Sequence, residues 1–302
     1  MADVTVVVGN YEGAEVLPEC LASLRDQTSP PRETFVVDAS STDASSLIAA
    51  SHGATVLNAP NLGLGYLYNR GVEAAGTELV LLLNNDVALE RHCVELLAAE
   101  LDADSARFAA DPTQLDWANG RVIHARTTLR RGTLLHEFIP GLHLDSIVPA
   151  DAVTPTVCAN GAAMLVRRAM FIELGGFDET FFMEWEDLDL CWRAWLRGWS
   201  TVYVPDAVVR HRVGAVTTSS LAPRRSASAH HNLMRFALKC LPRSDAGRVL
   251  LGELLRLPAH PRAIATGASR VAAELGEIVR LRRAHRRASP LVARVFEDDL
   301  AR

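Results

Sequence analysis

Apolar positions in the first hundred residues come in short blocks, and the period of each block predicts an element. Val4 to Val8 is a β-branched run with the length of a buried strand. Residues 14–25 place Val16, Cys20, Leu21 and Leu24 on one helical face. Phe35-Val36-Val37 predicts a second strand ending at Asp38, and Thr42 or Asp43 can cap a short helix through Ala50. Ala54–Leu57 and Leu79–Leu83 predict two more strands, with helices over 65–75 and Glu90–Leu101. Strands alternating with helices imply a mainly parallel sheet flanked by helices, whose ligands bind beyond the strand carboxyl ends. Asn10, Asp38 and Asp86 all fall just after predicted strands.

The middle of the chain is less periodic. Residues 105–157 carry prolines at 112, 140, 149 and 155 and read as irregular structure with short strands that line an acceptor site. Order returns with a strand over Gly161–Val166 and a helix from Arg167 to Leu174, stopped by Gly175-Gly176. Residues 186–197 give the strongest helix pattern, with Leu188, Cys191, Trp192 and Trp195 at i, i+3, i+4, i+7. Val202–Val204 and Val208–Arg210 read as two short strands. Beyond about 227 the pattern is helical, broken at Pro242, Pro258 and Pro261.

Composition narrows the class. The 302 residues are 49% hydrophobic and 22% charged, as in an ordinary globular chain. A net charge of -5 argues against a general nucleic-acid binder. The five cysteines form no C-x-x-C pair, which argues against a disulfide framework or a zinc knuckle and favours a reducing cytoplasm. Asp3 precedes the first apolar run with no basic leader, and no run is long enough to span a bilayer.

Several polar clusters carry candidate chemistry, each with a bland competitor. Asn84-Asn85-Asp86 follows an apolar strand, where a carboxylate can hold a hard cation on phosphate oxygens; an ordinary strand-end turn competes. Asp38 precedes the helix cap and is free to contact a base or ribose. Asn61-Leu62-Gly63-Leu64-Gly65, followed by Asn69-Arg70-Gly71, enters a helix whose N-terminus can face a diphosphate; its spacing is not the dinucleotide fingerprint. Phe181-Phe182-Met183-Glu184-Trp185-Glu186-Asp187 packs acids among aromatics. Dipole matching explains acids at a helix start but not the aromatic walls, which suit a sugar and can raise a carboxylate pKa. Asp189 and Arg193 read as an i,i+4 pair, and His211 gains interest only beside Asp86. No Ser/His/Asp or Cys/His nucleophile motif is evident.

In this order and spacing, the set resembles the family 2 glycosyltransferases of the GT-A fold, in their rhamnosyltransferase-like branch, over roughly residues 3–240. Val8-Gly9-Asn10-Tyr11-Glu12-Gly13 is similar to the family's first strand and turn. Val37 to Asp43 resembles its V-D-N-x-S-T-D segment, with Ala39 in place of Asn. Asn61 to Gly71 resembles its N-x-G…N-x-G loop, and Asn84-Asn85-Asp86 stands at the DXD position with only the last acid kept. Asn160-Gly161-Ala162 and Gly175 to Glu179 resemble the acceptor-side strand and turn. Glu186 to Arg193 resembles the E-D-x-D-L-x-x-R helix.

The resemblance implies an inverting, metal-dependent transfer from a nucleotide-diphosphate sugar to an acceptor hydroxyl, in cell-surface polysaccharide or glycoconjugate synthesis. Asn10, Tyr11, Glu12, Asp38, Asn61, Gly63, Asn69, Arg70, Asn84 and Asn85 would bind the donor. Asp86 and His211 would hold Mg²⁺ or Mn²⁺. Asp187 would deprotonate the acceptor, Glu186 would orient it, and Trp185 and Gly161 would line its site. The expected partners are a dTDP- or UDP-sugar and an acceptor glycan, lipid-linked saccharide or small molecule, with no nucleic acid. The competing readings are a noncatalytic sugar-nucleotide binder on the same fold and the glycosylation of a secondary metabolite.

The expected organisation is a GT-A domain over 1–240, with a nucleotide-binding half at 1–104 and an acceptor half at 105–240, then a helical extension over 241–302. Arg280, Arg282, Arg283, Arg286 and Arg287 share a helical stretch with Leu275, Ile278, Val279 and Leu281. Such a helix can lie on anionic lipid at the inner face of the plasma membrane, or pack on the domain or in a homodimer.

Overall fold

The computed structural model describes residues 3–135, 141–214 and 222–284. Its first half alternates as expected: β1 (Val4–Asn10), α1 (Leu17–Arg25), β2 (Glu33–Asp38), α2 (Ser45–Ser51), β3 (Thr55–Asn58), α3 (Leu64–Ala74) and β4 (Leu79–Asn84). β5 (Val87–Leu89) and α4 (Cys93–Ala103) follow. The second half contains β6 (Arg107–Asp116), β7 (Val122–His124), β8 (Arg126–Arg131), β9 (Leu142–Val148), β10 (Thr154–Pro155), β11 (Ala163–Arg167), α5 (Arg168–Glu173), α6 (Glu186–Arg197) and β12 (Ser200–His211). Three helices close the described chain: α7 (Ala222–Cys240), α8 (Arg243–Arg256) and α9 (Pro261–Ala284).

The main sheet runs β10-β12-β6-β11-β4-β1-β2-β3, with β5 added on β12 and β7 on β6. The run β4-β1-β2-β3 is parallel, β11 enters antiparallel between β4 and β6, and β12 again lies parallel to β6. Alternation along β1 explains the two covered faces. Val4, Val6 and Val8 pack with Leu17, Leu21 and Leu24 of α1 and Leu97 of α4, whereas Val7 packs with Tyr68 and Val72 of α3. The second cluster continues through α6 into α7 and α8, where Phe236, Ala246 and Val249 join it.

Two expectations about the middle segment need correction. Residues 107–116 are a central ten-residue strand, not irregular structure. Pro112 misleads because a proline normally marks an edge. Here β11 pairs with Ala109 and Ala110 only, and β12 breaks register opposite Pro112, between Val204 and Val208. Pro112 thus stands past the end of the β11 pairing and at the last β12 pair, Val204, before the break. The same bulge joins the two expected short strands into the single β12.

Among the described residues, no helix is long and apolar enough to cross a membrane. α9 packs along α7, with Ile264, Val271 and Ile278 buried, while Leu275 and Val279 remain exposed. Of the four apolar residues expected to meet lipid, only Ile278 is buried inside the fold. Arg286 and Arg287 lie outside the described residues.

Candidate active site

Parallel register brings the polar strand ends into one row: Asn10 lies opposite Asp38, Gly9 opposite Asn84, and Asp38 opposite Asn58. A cleft of about 410 Å³ opens there. Of the residues expected in the site, it is lined by Asn10, Tyr11, Asn61, Gly63, Asn84, Asn85, Asp86, Gly161, Glu186, Asp187 and His211.

The floor is a closed hydrogen-bond net. Asn10 Nδ2 donates to Asp38 Oδ2 at 2.7 Å, and Asn10 Oδ1 accepts from Asn85 Nδ2 at 2.7 Å. Asp38 Oδ1 accepts from the Ser41 N–H, so this buried carboxylate is held by its own loop beside the cleft-lining Ala39. Glu12 does not line the cleft. It clasps Thr42 through the backbone N–H at 2.8 Å and the hydroxyl at 3.0 Å. The buried Tyr68 hydroxyl lies 2.9 Å from Asn84 Oδ1 and 3.0 Å from the Gly161 carbonyl, tying the β4 end to the Asn160-Gly161-Ala162 loop.

Asn69 and Arg70 are not brought to the cleft, contrary to expectation. Asn69 accepts from the Phe177 N–H and donates to the Phe177 carbonyl and to Glu179, pinning a turn 108 residues away. Arg70 pairs with Glu73 and Glu179 and lies over the Tyr66 ring. The helix start that does reach the cleft is Gly63. Its φ of +114° and the Phe182 carbonyl, 2.4 Å from where a Cβ would stand, both demand glycine. Trp185 also turns away from the cleft and packs on the core cluster.

Asp86 and His211 meet because β5 pairs with β12, setting Val87 opposite His211. Asp86 Oδ1 lies 3.3 Å from His211 Nε2, yet it has no hydrogen-bond donor although it is buried. His211 Nδ1 lies 3.0 Å from Gln114 Oε1. An amide oxygen accepts only, so in the neutral ring it fixes the proton on Nδ1 and leaves the Nε2 lone pair beside Asp86. Two facing lone pairs on a buried carboxylate and an imidazole fit a divalent cation. Among the described residues no third His, Cys, Asp or Glu joins them, so phosphate oxygens and water would complete the shell.

Opposite stands the acidic pair that opens α6. Asp187 accepts from the Gly161 N–H at 3.0 Å and from the Leu188 N–H at 2.7 Å. Burial nevertheless raises its pKa above the ordinary carboxylate value. Glu186 is buried, with Oε2 unpartnered; burial, reinforced by the Asp187 charge, pushes its pKa up to about 8. Glu186 is thus the protonated member at neutral pH.

This shift makes stability fall with pH. Unfolded Glu186 titrates at its ordinary value of 4.5 and the folded residue at about 8. Between these values the folded state holds the extra proton, so the Glu186 contribution to stability is greatest below 4.5 and declines until about 8. Glu186→Gln should therefore raise Tm relative to wild type at pH 8.5, by about 2–4 °C for each kcal/mol recovered, and change it little at pH 4.5. Equal Tm differences at both pH values, read by calorimetry, would contradict the assignment.

Sequence reading missed a second buried pair behind the dyad. Asp111 of β6 is fully buried and accepts from the Asn160 N–H at 3.1 Å, and its Oδ2 lies 2.8 Å from His124 Nε2. Burial raises the Asp111 pKa against the opposing pull of His124. The pair braces the loop whose Gly161 N–H holds Asp187. Its signal was Asp111 directly after the apolar Phe108-Ala109-Ala110 run, hidden by Pro112.

Sheet order and the cleft at the strand carboxyl ends define a GT-A type α/β fold. The family profile described as Glycosyl transferase family 2 matches residues 5–153. The N-acetylglucosaminyl-diphospho-decaprenol L-rhamnosyltransferase of Mycobacterium tuberculosis is 30% identical over 260 residues, covering 76% of this chain and 82% of that one. The rhamnosyltransferase WbbL of Escherichia coli is 30% identical over 152 residues, covering 48% of this chain and 56% of that protein. A mannosyltransferase of Pyrobaculum calidifontis, solved with GDP-Man and Mn²⁺, superposes with a TM-score of 0.57 at 19% identity, covering 91% of this chain and 77% of that one. The chain belongs to glycosyltransferase family 2 and is a glycosyltransferase.

Proposed function

We propose that this enzyme transfers a deoxyhexose from a dTDP- or UDP-sugar, with inversion, to a hydroxyl of a lipid-linked saccharide at the inner face of the plasma membrane. The observation that carries the chemistry is the Glu186–Asp187 pair facing Asp86 and His211 across one cleft. The rhamnosyltransferase relatives support the donor class, and the decaprenol-linked relative supports the acceptor class.

In this reading Asp187 takes the acceptor proton while the freed oxygen bonds to the anomeric carbon. The bond from that carbon to the diphosphate breaks, and its electron pair leaves with the diphosphate. No side-chain nucleophile is required. Glu186, protonated, can donate a hydrogen bond from Oε2 to a substrate oxygen without competing for the acceptor proton. Gly161 and Leu188 hold the Asp187 carboxylate but leave one lone pair on each oxygen for substrate. Asp86 and His211 would hold the divalent cation, which supplies positive charge for the departing diphosphate.

The test is a calorimetric screen of dTDP, UDP and their sugars against the full-length protein, with Mg²⁺ or Mn²⁺ and then with chelator. Diphosphate affinity is expected to fall at least tenfold with chelator, and by a similar factor in Asp86→Ala with metal present. Affinity unmoved by both changes would reject the cation site. Failure of every nucleotide sugar to bind would reject the proposed function.

A further inference from the structure

Two consecutive residues ahead of the acidic dyad adopt left-handed backbone conformations: Glu184 at φ +68° and Trp185 at φ +73°. Neither is glycine, and a bulky tryptophan there is a genuine outlier. Such a segment persists only when its surroundings over-determine it. The capping geometry of α6 does not do so, since Trp185 is the N-cap and makes no side-chain cap bond. Trp185 Nε1 is also buried without a partner. The strain therefore has an external support.

That support comes from the C-terminal helices. Asn232 of α7 is fully buried, and its Nδ2 donates to the Met183 carbonyl at 2.8 Å and to the Glu184 carbonyl at 2.9 Å. Both amide hydrogens are thereby spent on the two peptides that flank Glu184. The orientation of Asn232 is fixed in turn: its Oδ1 lies 2.9 Å from His231 Nδ1, and His231 Nε2 lies 2.9 Å from Glu274 of α9. On the opposite side, Gly63 lets the Phe182 backbone close down on the start of α3. The segment 182–185 is thus clamped between the nucleotide-side helix α3 and α7, immediately before Glu186 and Asp187.

We propose that Asn232, backed by His231 and Glu274, is a positioning residue for the transfer reaction: it holds the strained 183–185 backbone that aims Glu186 and Asp187 into the cleft. The C-terminal helices are then a working part of the acceptor side. The inference rests on the assignment of Asp187 as the base, and the experiment separates the two.

Asn232→Ala removes both donated bonds, and Asn232→Asp removes them at constant volume; either folded variant serves. The first measurement needs no substrate. Hydrogen exchange at the amides of residues 184–188 should quicken at least tenfold, with β1 and β4 amides unchanged. The second is transfer from dTDP-L-rhamnose to N-acetylglucosaminyl-diphospho-decaprenol by the full-length chain. kcat should fall at least tenfold while dTDP affinity stays within twofold. A merely structural role would lower dTDP affinity and β-strand protection together with kcat. Unchanged exchange at 184–188 overturns the proposal, as does faster exchange with kcat within threefold of wild type. If Asn232→Ala passes the exchange test but Asp187→Asn transfers normally, the base assignment fails and the clamp stands.

Discussion

Asp187→Asn is expected to lose about 10²–10⁴ in kcat, the scale of a positioned general base, with donor affinity and fold retained. Asparagine keeps the size of the side chain, and its amide oxygen can still accept the Gly161 N–H bond, while the Leu188 N–H loses its acceptor. It cannot accept a proton. The substitution also relieves repulsion, because the Asp187 charge reinforces the effect of burial in raising Glu186. That relief opposes the loss of the Leu188 bond, so melting temperature should change little near pH 8. An acid that merely matched the helix dipole would behave oppositely: a loss of about 0.3–1 kcal/mol in stability and near-normal turnover. Turnover within about threefold of wild type, on protein of unchanged dTDP affinity, would move the base assignment to Glu186. That residue is the weaker candidate because its raised pKa leaves it protonated near neutrality.

How far such a site can be read from sequence depends on the range of the contacts that build it. The β4-β1-β2-β3 half was legible because each strand is a short apolar run that ends at a polar residue. Parallel register then aligns those ends without further information. The meeting of Asp86 with His211 was legible only through the family resemblance, since it depends on β5 pairing with a strand over a hundred residues later. Asn69 shows the opposite failure. Its N-x-G context signals a loop at a helix start, but local sequence does not say which way an asparagine points, and here the Phe177 turn claims it. Asn232 was unreadable for the same reason. A lone asparagine in a helical run gives no sign that a strained peptide 48 residues upstream depends on it. β6 was hidden by one proline whose tolerance depends on where its two neighbours stop pairing.

The second large effect concerns Asp189, whose local pattern understated it. Spacing to Arg193 reads as an i,i+4 pair, worth about 0.2–0.5 kcal/mol on a helix surface. In the fold Asp189 is fully buried, 2.8 Å from Arg193 Nε and 2.7 Å from Lys239 Nζ of α7. Arg193 also donates to the Leu174 and Gly176 carbonyls, and Lys239 also reaches Asp178. One carboxylate thus satisfies two buried cations and joins α6 to α7 and to the Gly175-Gly176 turn. Asp189→Ala would leave Arg193 in the interior with only the Leu174 and Gly176 carbonyls, and Lys239 with Asp178, which Arg235 shares. Breaking a buried pair from one side costs about 3–5 kcal/mol, against a typical total stability of about 5–15 kcal/mol. Asp3→Ala is the control, because Asp3 and Arg32 form an exposed pair whose loss should cost about 0–1 kcal/mol. The pH dependence supplies a second check. Burial raises the Asp189 pKa, but Lys239 and Arg193 outweigh it and hold the group below its ordinary value of 3.8. Its contribution is complete above 3.8 and disappears as pH falls through the depressed folded value. The gap between wild type and Asp189→Ala in urea denaturation should therefore be full at pH 7 and shrink in acid. A loss under about 1 kcal/mol at pH 7, comparable to a surface pair, would show that α6 is held by its apolar face and not by this network.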